Sequence, residues 1–312
     1  MRRTSTVEGF KVLLRRFQGG RKSITLIVST DWLYDNLGAE DLVILDVRSP
    51  GEYGPGHITG AINSPEGNWY INPPFGPDLP WMELPPVEDL FATIGSAGIT
   101  GDSLVVVVGR TSDLPPPAFA VYALAGATRV ADTLLYAGVK NVAILDGGYD
   151  KWVADGKPTS NVPVTPALVT YTGKVNEAMF VSKDYVEKRI GKSTIIDARD
   201  ADVYFGVTQE PWTPYPGHIP SATSLPAPWL WTFTDGIGTY KDAGVLREMA
   251  SGVIGWHGFS KEIIVYCGVG GYASTAYFVL SEVLGYKNVK IYDGSAQEWT
   301  AQGEPVVLYK WE

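Results

Sequence analysis

"LDVRSPGEYGPGHITGAINSP", residues 45–65, and "IDARDADVYFGVTQEPWTPYPGHIPSATSLP", residues 196–226, follow one pattern. Each runs out of an apolar stretch through D-x-R, reaches P-G-H-I, and ends in a small polar segment and a proline. A second pair sits downstream: "AILDGGYDKWVADGKP" from Ala143 answers "KIYDGSAQEWTAQGEP" from Lys290. The copies are offset by 151 residues at Asp46/Asp197, 161 at His57/His218 and 147 at Trp152/Trp299. Order is preserved and the length changes fall in Pro/Gly-rich segments, which points to duplication of a domain of about 130 residues. The expected divisions are an N-terminal arm over 1–26, a first domain over 27–158, a proline- and threonine-rich linker over 159–176, and a second domain over 177–312.

Within each copy, short β-branched runs alternate with helix-compatible stretches. "LVILDV", "LVVVVG" and "VAILDG" in the first half match "TIIDAR", "EIIVYC" and "VKIYDG" in the second. Runs that are apolar on both faces suit strands of a parallel sheet covered by helices. Helices are expected from about Val87, Phe119 and Gly148, and again from about Asp184, Ala243, Ser274 and Ser295. The fold class is therefore α/β, with two tandem domains, each a central mostly parallel sheet flanked by helices.

Composition narrows the function. The 312 residues carry a formal net charge of −9, which argues against nucleic acid and anionic membrane surfaces as partners. No run reaches the roughly 20 apolar residues of a membrane span. The basic first 22 residues lack the apolar core of a secretory signal, so a cytoplasmic location is expected, with the periplasm as the alternative. His57, His218 and His257 show no ligand spacing, and one cysteine excludes a disulfide framework or a multi-thiolate metal site. No metal is expected.

That cysteine, Cys267, lies in "IIVYCGVGGYAS", residues 263–274, between a strand and a helix-compatible stretch. The carboxyl edge of a sheet is where α/β folds bind ligands. The glycines of the turn Cys267-Gly268-Val269-Gly270-Gly271-Tyr272 let successive N–H groups point inward as an anion-holding nest. Such a nest favours a thiolate: lowering the pKa to about 6.5 leaves roughly three quarters of the thiol ionised at pH 7. The bland alternative, a small buried residue finishing a strand, leaves the glycines unexplained. A phosphatase loop of the C-x(5)-R type is excluded by Ala273 at the arginine position.

With D-x-R, P-G-H, the cysteine loop and the closing D-G-x-x-x-x-W in order, the chain resembles tandem-domain rhodanese-type sulfurtransferases over about residues 28–308, in particular the thiosulfate and 3-mercaptopyruvate sulfurtransferases. The resemblance implies sulfur transfer through a persulfide on Cys267, from a small-molecule sulfur donor to a thiol, a dithiol protein or cyanide. It implies no cofactor. The loop amides from Gly268 to Tyr272 would hold the persulfide, and Arg199 is the candidate side chain for the donor. Gly109 aligns with Cys267, so the first copy is expected to be inactive and to help wall the site.

The sequence departs from the resemblance at its selective positions. Gly268 and Val269 stand where basic or hydroxyl residues are usual, and Val203 stands where an arginine is usual. Those departures leave the donor open and keep a non-catalytic persulfide carrier as the alternative function. His57 and His218 read as hydrogen-bonding residues of the turn, Asp46 and Asp197 as strand-end caps, and Trp152 and Trp299 as packing residues. The aromatic loops "GNWYINPPFGPDLPW" from Gly67 and "PWLWTFTDG" from Pro228 are candidates to rim the cleft between the copies.

Overall fold

The computed structural model describes residues 26–71, 73, 81–112, 120–255 and 260–312. The expected N-terminal arm lies, but for Leu26, outside the described residues, as do parts of the aromatic loop after Gly67 and of the first copy's proline-rich loop.

The first half runs β1 (Ile27–Val28), α1 (Thr30–Asn36), β2 (Leu42–Asp46), α2 (Pro50–Tyr53), β3 (His57–Ile58), β4 (Ile62–Asn63), α3 (Val87–Ser96), β5 (Leu104–Val108), α4 (Ala120–Tyr136), β6 (Asn141–Leu145), α5 (Gly148–Ala154) and β7 (Thr159–Ser160). The second runs β8 (Phe180–Val181), α6 (Lys183–Glu187), β9 (Thr194–Asp197), α7 (Ala201–Phe205), β10 (Ala222–Ser224), β11 (Trp231–Thr234), β12 (Ile237–Tyr240), α8 (Ala243–Ile254), β13 (Ile263–Tyr266), α9 (Gly271–Tyr277), β14 (Val289–Tyr292) and α10 (Ser295–Ala301).

All six apolar runs read from the sequence are strands of two five-stranded sheets. Their orders, β4-β2-β5-β6-β1 and β10-β9-β13-β14-β8, are the same order twice, and every neighbouring pair is parallel. Central strands such as β5 and β13 are buried along nearly their whole length, which is why they carry β-branched residues on both faces. The expected helix starts hold where they are described, Phe119 lying outside the described residues and α4 being described from Ala120, except that α9 begins at Gly271 rather than near Ser274. The glycines of the turn enter the helix directly, and beyond Tyr277 it continues as a π-helical turn over Phe278–Val283.

The duplication persists in side-chain detail. Tyr53 stacks on His57 and Tyr204 on His218, each at a ring separation of 3.8 Å. Each histidine Nδ1 bonds the carbonyl of its stacked tyrosine, and each tyrosine hydroxyl donates to an alanine carbonyl, Ala61 or Ala222, at 2.7 Å. Trp152 and Trp299 donate at 2.9 Å to the carbonyls of Pro158 and Pro305. These histidines and tryptophans build the fold, as their bland readings had it.

Residues 159–176, expected as a linker, are fastened to the first half. β7 pairs with β3, Val169 donates to the Gly95 carbonyl, and the Tyr171 hydroxyl donates to the Ala137 carbonyl. The halves meet where α4 packs on α9, with the Thr128 and Thr275 hydroxyls bonded at 2.8 Å. Each half also caps a loop of the other: Asp146 accepts from the Tyr240 amide at 2.9 Å, and Asp293 accepts from the Leu84 amide at 2.8 Å.

Glu66 abuts α4 so closely that a Cβ on Gly126 would lie 1.7 Å from its Oε2. Burial, helped by the Glu52 charge, pushes the Glu66 carboxyl up to about 7 from its ordinary 4.5. The folded state therefore binds more protons than the unfolded chain between those values, and stability falls as pH rises through that window. Glu66→Gln is expected to raise the melting midpoint at pH 8 by about 2 to 6 °C and to change it little at pH 4, as measured by thermal scans.

Candidate active site

The site is built on the turn after β9. Asp197 ends that strand with its carboxylate buried, and Arg199 folds back onto it: Nε donates at 2.9 Å and Nη2 at 2.6 Å, while the Arg199 amide donates at 3.0 Å. Nη2 also donates to the Gly217 carbonyl at 2.7 Å. Burial opposes the guanidinium charge, but the Asp197 carboxylate and its hydrogen bonds outweigh it and hold Arg199 charged. The candidate for binding donor is thus spent on the Asp197 carboxylate and the Gly217 carbonyl, with only Nη1 turned elsewhere, to Glu210 at 3.6 Å.

The same carboxylate accepts from the Tyr266 hydroxyl at 2.6 Å, and Tyr266 is the residue before Cys267. From there the loop is fastened by its carbonyls. Those of Cys267 and Gly268 accept from the amides of Ala296 and Gln297 at the start of α10, at 2.9 and 3.0 Å, and the Cys267 amide donates to Ser295 Oγ at 3.2 Å. With carbonyls turned to α10, later amides turn to the sulfur: Gly270 donates to Sγ at 3.0 Å, and Val269 and Ala273 add backbone hydrogen bonds. Two glycines are sterically required. Gly270 has φ +103°, and a Cβ on Gly268 would lie 2.3 Å from Trp212 Nε1 and 2.5 Å from Glu210 Oε2.

The nest exists and its amides pull the thiol's pKa down as expected, but the net shift is the reverse of the sequence expectation. Cys267 is fully buried, and that burial pushes its pKa above the ordinary value; the Ala273 amide pulls it back, the Glu210 carboxylate pushes it further up, and the Val269 and Gly270 amides pull it down. Desolvation of an anion outweighs three neutral donors.

What buries the loop comes from both halves. Tyr70 and Met82 of the first half pack with Trp212 and Val269, and Trp81 sits against Trp212 at 5.9 Å between ring centres. Beneath them Arg129 of α4, itself fully buried, pairs with Asp293 at 2.8 Å; its Nη1 lies 3.3 Å from where a Gly270 Cβ would stand. The first half does wall this site.

The equivalent place in the first half is filled. Val108 stands opposite Asp46 as Tyr266 stands opposite Asp197, so Gly109 is the register counterpart of Cys267. A Cβ there would meet Ala127 at 3.0 Å. The amides of Thr111 and Ser112 donate to the Asp150 carboxylate at 2.7 and 2.8 Å. The first copy thus keeps an anion nest and closes it with its own side chain. The β11–β12 hairpin covers it, with Gly238 donating to the Thr111 carbonyl at 3.0 Å.

Of the residues singled out from sequence, Cys267, Val269 and Gly270 converge on the sulfur. Gly268 contributes a carbonyl tie and clearance, Gly271 begins α9, and Tyr272 is buried in the second half's core. Sequence reasoning missed Ala273, Glu210, Trp212 and Arg129. Glu210 and Trp212 fall in the stretch that lengthens the second copy between D-x-R and P-G-H, and the insertion was their only signal. Among the described residues, no group of three His, Cys, Asp or Glu side chains is placed to hold a metal ion, and no helix is long and apolar enough to cross a membrane.

Known proteins agree with this architecture. The model of the rhodanese-like domain matches twice, at residues 29–155 and 182–302. A Synechococcus elongatus protein named "Putative thiosulfate sulfurtransferase" is 31% identical over 89% of this chain and 84% of its own length. A protein of the same name from Mycolicibacterium smegmatis is 32% identical over 90% of this chain and 95% of its own. Among solved structures, SseA from Escherichia coli, a 3-mercaptopyruvate sulfurtransferase, superposes with a TM-score of 0.71 at 27% identity, covering 87% of this chain and 99% of SseA. The anaerobic ergothioneine biosynthesis enzyme of Chlorobium limicola, at 21% identity and a TM-score of 0.75, covering 91% of this chain and 70% of its own, shares the fold. Two matched domains that together span most of the chain, in the tandem order the internal repeat displays, make this protein a member of the rhodanese family.

Proposed function

We propose that this chain is a sulfurtransferase in which Cys267 carries the transferred sulfur as a persulfide. The observation that carries the reading is the convergence of the Val269, Gly270 and Ala273 amides on Sγ, at the end of the central strand of the half that retains a thiol. With thiosulfate, the Cys267 thiolate attacks the outer sulfur, the S–S bond breaks toward the sulfonate, sulfite leaves, and a persulfide anion remains. With 3-mercaptopyruvate, the thiolate attacks the thiol sulfur, the C–S bond breaks, and the pyruvate enolate takes up the thiol proton. A thiol, a dithiol protein or cyanide then removes the outer sulfur and restores the thiolate. Inward-pointing amides stabilise the charge that moves from Sγ to the outer sulfur.

Two features shape the reaction. Burial disfavours the thiolate, and the cap of Tyr70, Met82 and Trp212 closes over the loop. Donor entry therefore requires the cap to open, and opening admits water, which removes the desolvation that holds the thiol neutral. The sealed sulfur also supports a second reading, a persulfide carrier that loads and delivers without rapid turnover. Many turnovers with cyanide or a dithiol favour the enzyme, and a single loading event favours the carrier.

Exposure to donor is expected to add one sulfur, about 32 Da by mass spectrometry of the intact protein. Cys267→Ser should abolish the gain, and a variant that still gains it rejects the assignment. Alkylation by iodoacetamide should be slow in the native protein and keep accelerating through pH 9, because the thiol titrates above its ordinary 9.0. Trp212→Ala, which removes part of the cap, should speed alkylation at pH 8 by about tenfold or more, a change of about 1.4 kcal/mol in the opening equilibrium.

A further inference from the structure

Resting on the sulfurtransferase reading, we propose that Arg129 of the first half binds the anionic end of the sulfur donor, a sulfonate or a carboxylate, through two nitrogens of its guanidinium. Arg129 projects from α4 with its side chain fully buried, and among the described residues Nε and Nη2 have no hydrogen-bond partner. Those two nitrogens form one edge of the guanidinium, the edge with which Arg199 grips Asp197 and Arg48 grips Asp46. Asp293 takes only Nη1, at 2.8 Å, and turns its other oxygen to the Leu84 amide at 2.8 Å. Asp132, one turn further along α4 and equally buried, has no hydrogen bond on either oxygen, so it does not take the edge. Phe180 lies against a face of the guanidinium, 5.1 Å from its ring centre, which leaves the edge uncovered. A buried charged donor without an acceptor is costly to keep, and that cost marks the edge as a place for one.

The edge belongs to the sulfur site. Nη1 lies 3.3 Å from where a Gly270 Cβ would stand, and the Gly270 amide donates to Sγ at 3.0 Å, so the guanidinium and the sulfur flank one residue. The Met82 carbonyl lies 3.4 Å from the same point, and the Leu84 amide is tied to Asp293, so the segment that covers the loop also covers Arg129. Burial pushes the Tyr70 hydroxyl and the Glu83 carboxyl of this cap up, neighbouring carboxylates add to the rise, and the Arg129 charge pulls both back. Cap movement that admits a donor to the sulfur uncovers the fork with it. A donor whose reactive sulfur meets Sγ then has its oxyanion within reach of Nε and Nη2, which hold two such oxygens in parallel. The first half thereby contributes a donor-binding residue as well as a wall.

Iodoacetate and iodoacetamide test the fork apart from sulfur transfer. Cys267 is the only cysteine, its thiolate displaces iodide from either reagent, and the two differ by one carboxylate. The readout is the ratio of alkylation rates, iodoacetate over iodoacetamide, normalised to the same ratio for a small thiol in solution, which cancels cap opening and thiol ionisation. The native protein should exceed the small thiol by about tenfold. Arg129→Gln should remove that excess, and Arg129→Lys, which can keep the Asp293 pair but has no fork, should cut it by about threefold or more. A native ratio no greater than that of the small thiol overturns the inference without recourse to any variant, as does a ratio that both variants leave unchanged. Persulfide formation from thiosulfate and from 3-mercaptopyruvate tells the two anions apart: kcat/KM should fall by about a hundredfold in Arg129→Gln with the donor whose sulfonate or carboxylate sits on the fork. No fall with either donor overturns the inference and leaves the sulfurtransferase reading standing. Failure of both donors to load Cys267 in the native protein overturns both.

Discussion

The buried ion pair between Asp197 and Arg199 is the joint on which the second half turns. Asp197 ends β9, accepts the Tyr266 hydroxyl from the neighbouring strand, and holds Arg199, which reaches the Gly217 carbonyl and Glu210. One carboxylate thus ties the strand before the cysteine, the P-G-H turn and the loop that carries Glu210 and Trp212. Removing one member of such a pair leaves an uncompensated buried charge, at a cost of about 3 to 5 kcal/mol. The first half has the same fork, Arg48 on Asp46 with Nη2 at 2.6 Å, reaching the Gly56 carbonyl at 3.0 Å. Its presence in a half without a thiol marks it as part of the fold.

Comparison of the halves isolates the difference. Both end their central strand at the same register, and both turn amides toward an anion position. In the first half the anion is the Asp150 carboxylate, a permanent occupant; in the second it is the Cys267 sulfur. Each nest is roofed by the opposite half, the first by the β11–β12 hairpin and the second by Tyr70 and Met82. The reciprocal aspartates Asp146 and Asp293 hold these roofs by their backbone amides. The first half thus supplies part of the enclosure around Cys267, together with the Arg129 side chain packed against Gly270.

The thiol chemistry follows from two opposed effects of that enclosure. Amides aimed at the sulfur favour charge on it, whereas burial and the Glu210 carboxylate disfavour charge, and in the closed state the second effect prevails.

The sequence by itself determined the fold class, the duplication and the place of the lone cysteine in a glycine-rich turn after a central strand. These are written in local signals: β-branched runs, glycines where the backbone must turn or make room, and motifs repeated in order. Even Gly109 as the counterpart of Cys267 follows from aligning the copies, because strand register is set by the same apolar pattern in each. The tertiary structure decided what surrounds the sulfur. Arg199, legible as a cation near the site, is turned away from it by Asp197, and Arg129, more than 130 residues before the cysteine, is brought beside Gly270 by the packing of α4 on α9. Burial and field at one atom are sums over neighbours that are distant along the chain, so no local pattern encodes them, and here they reversed the expected ionisation of the thiol.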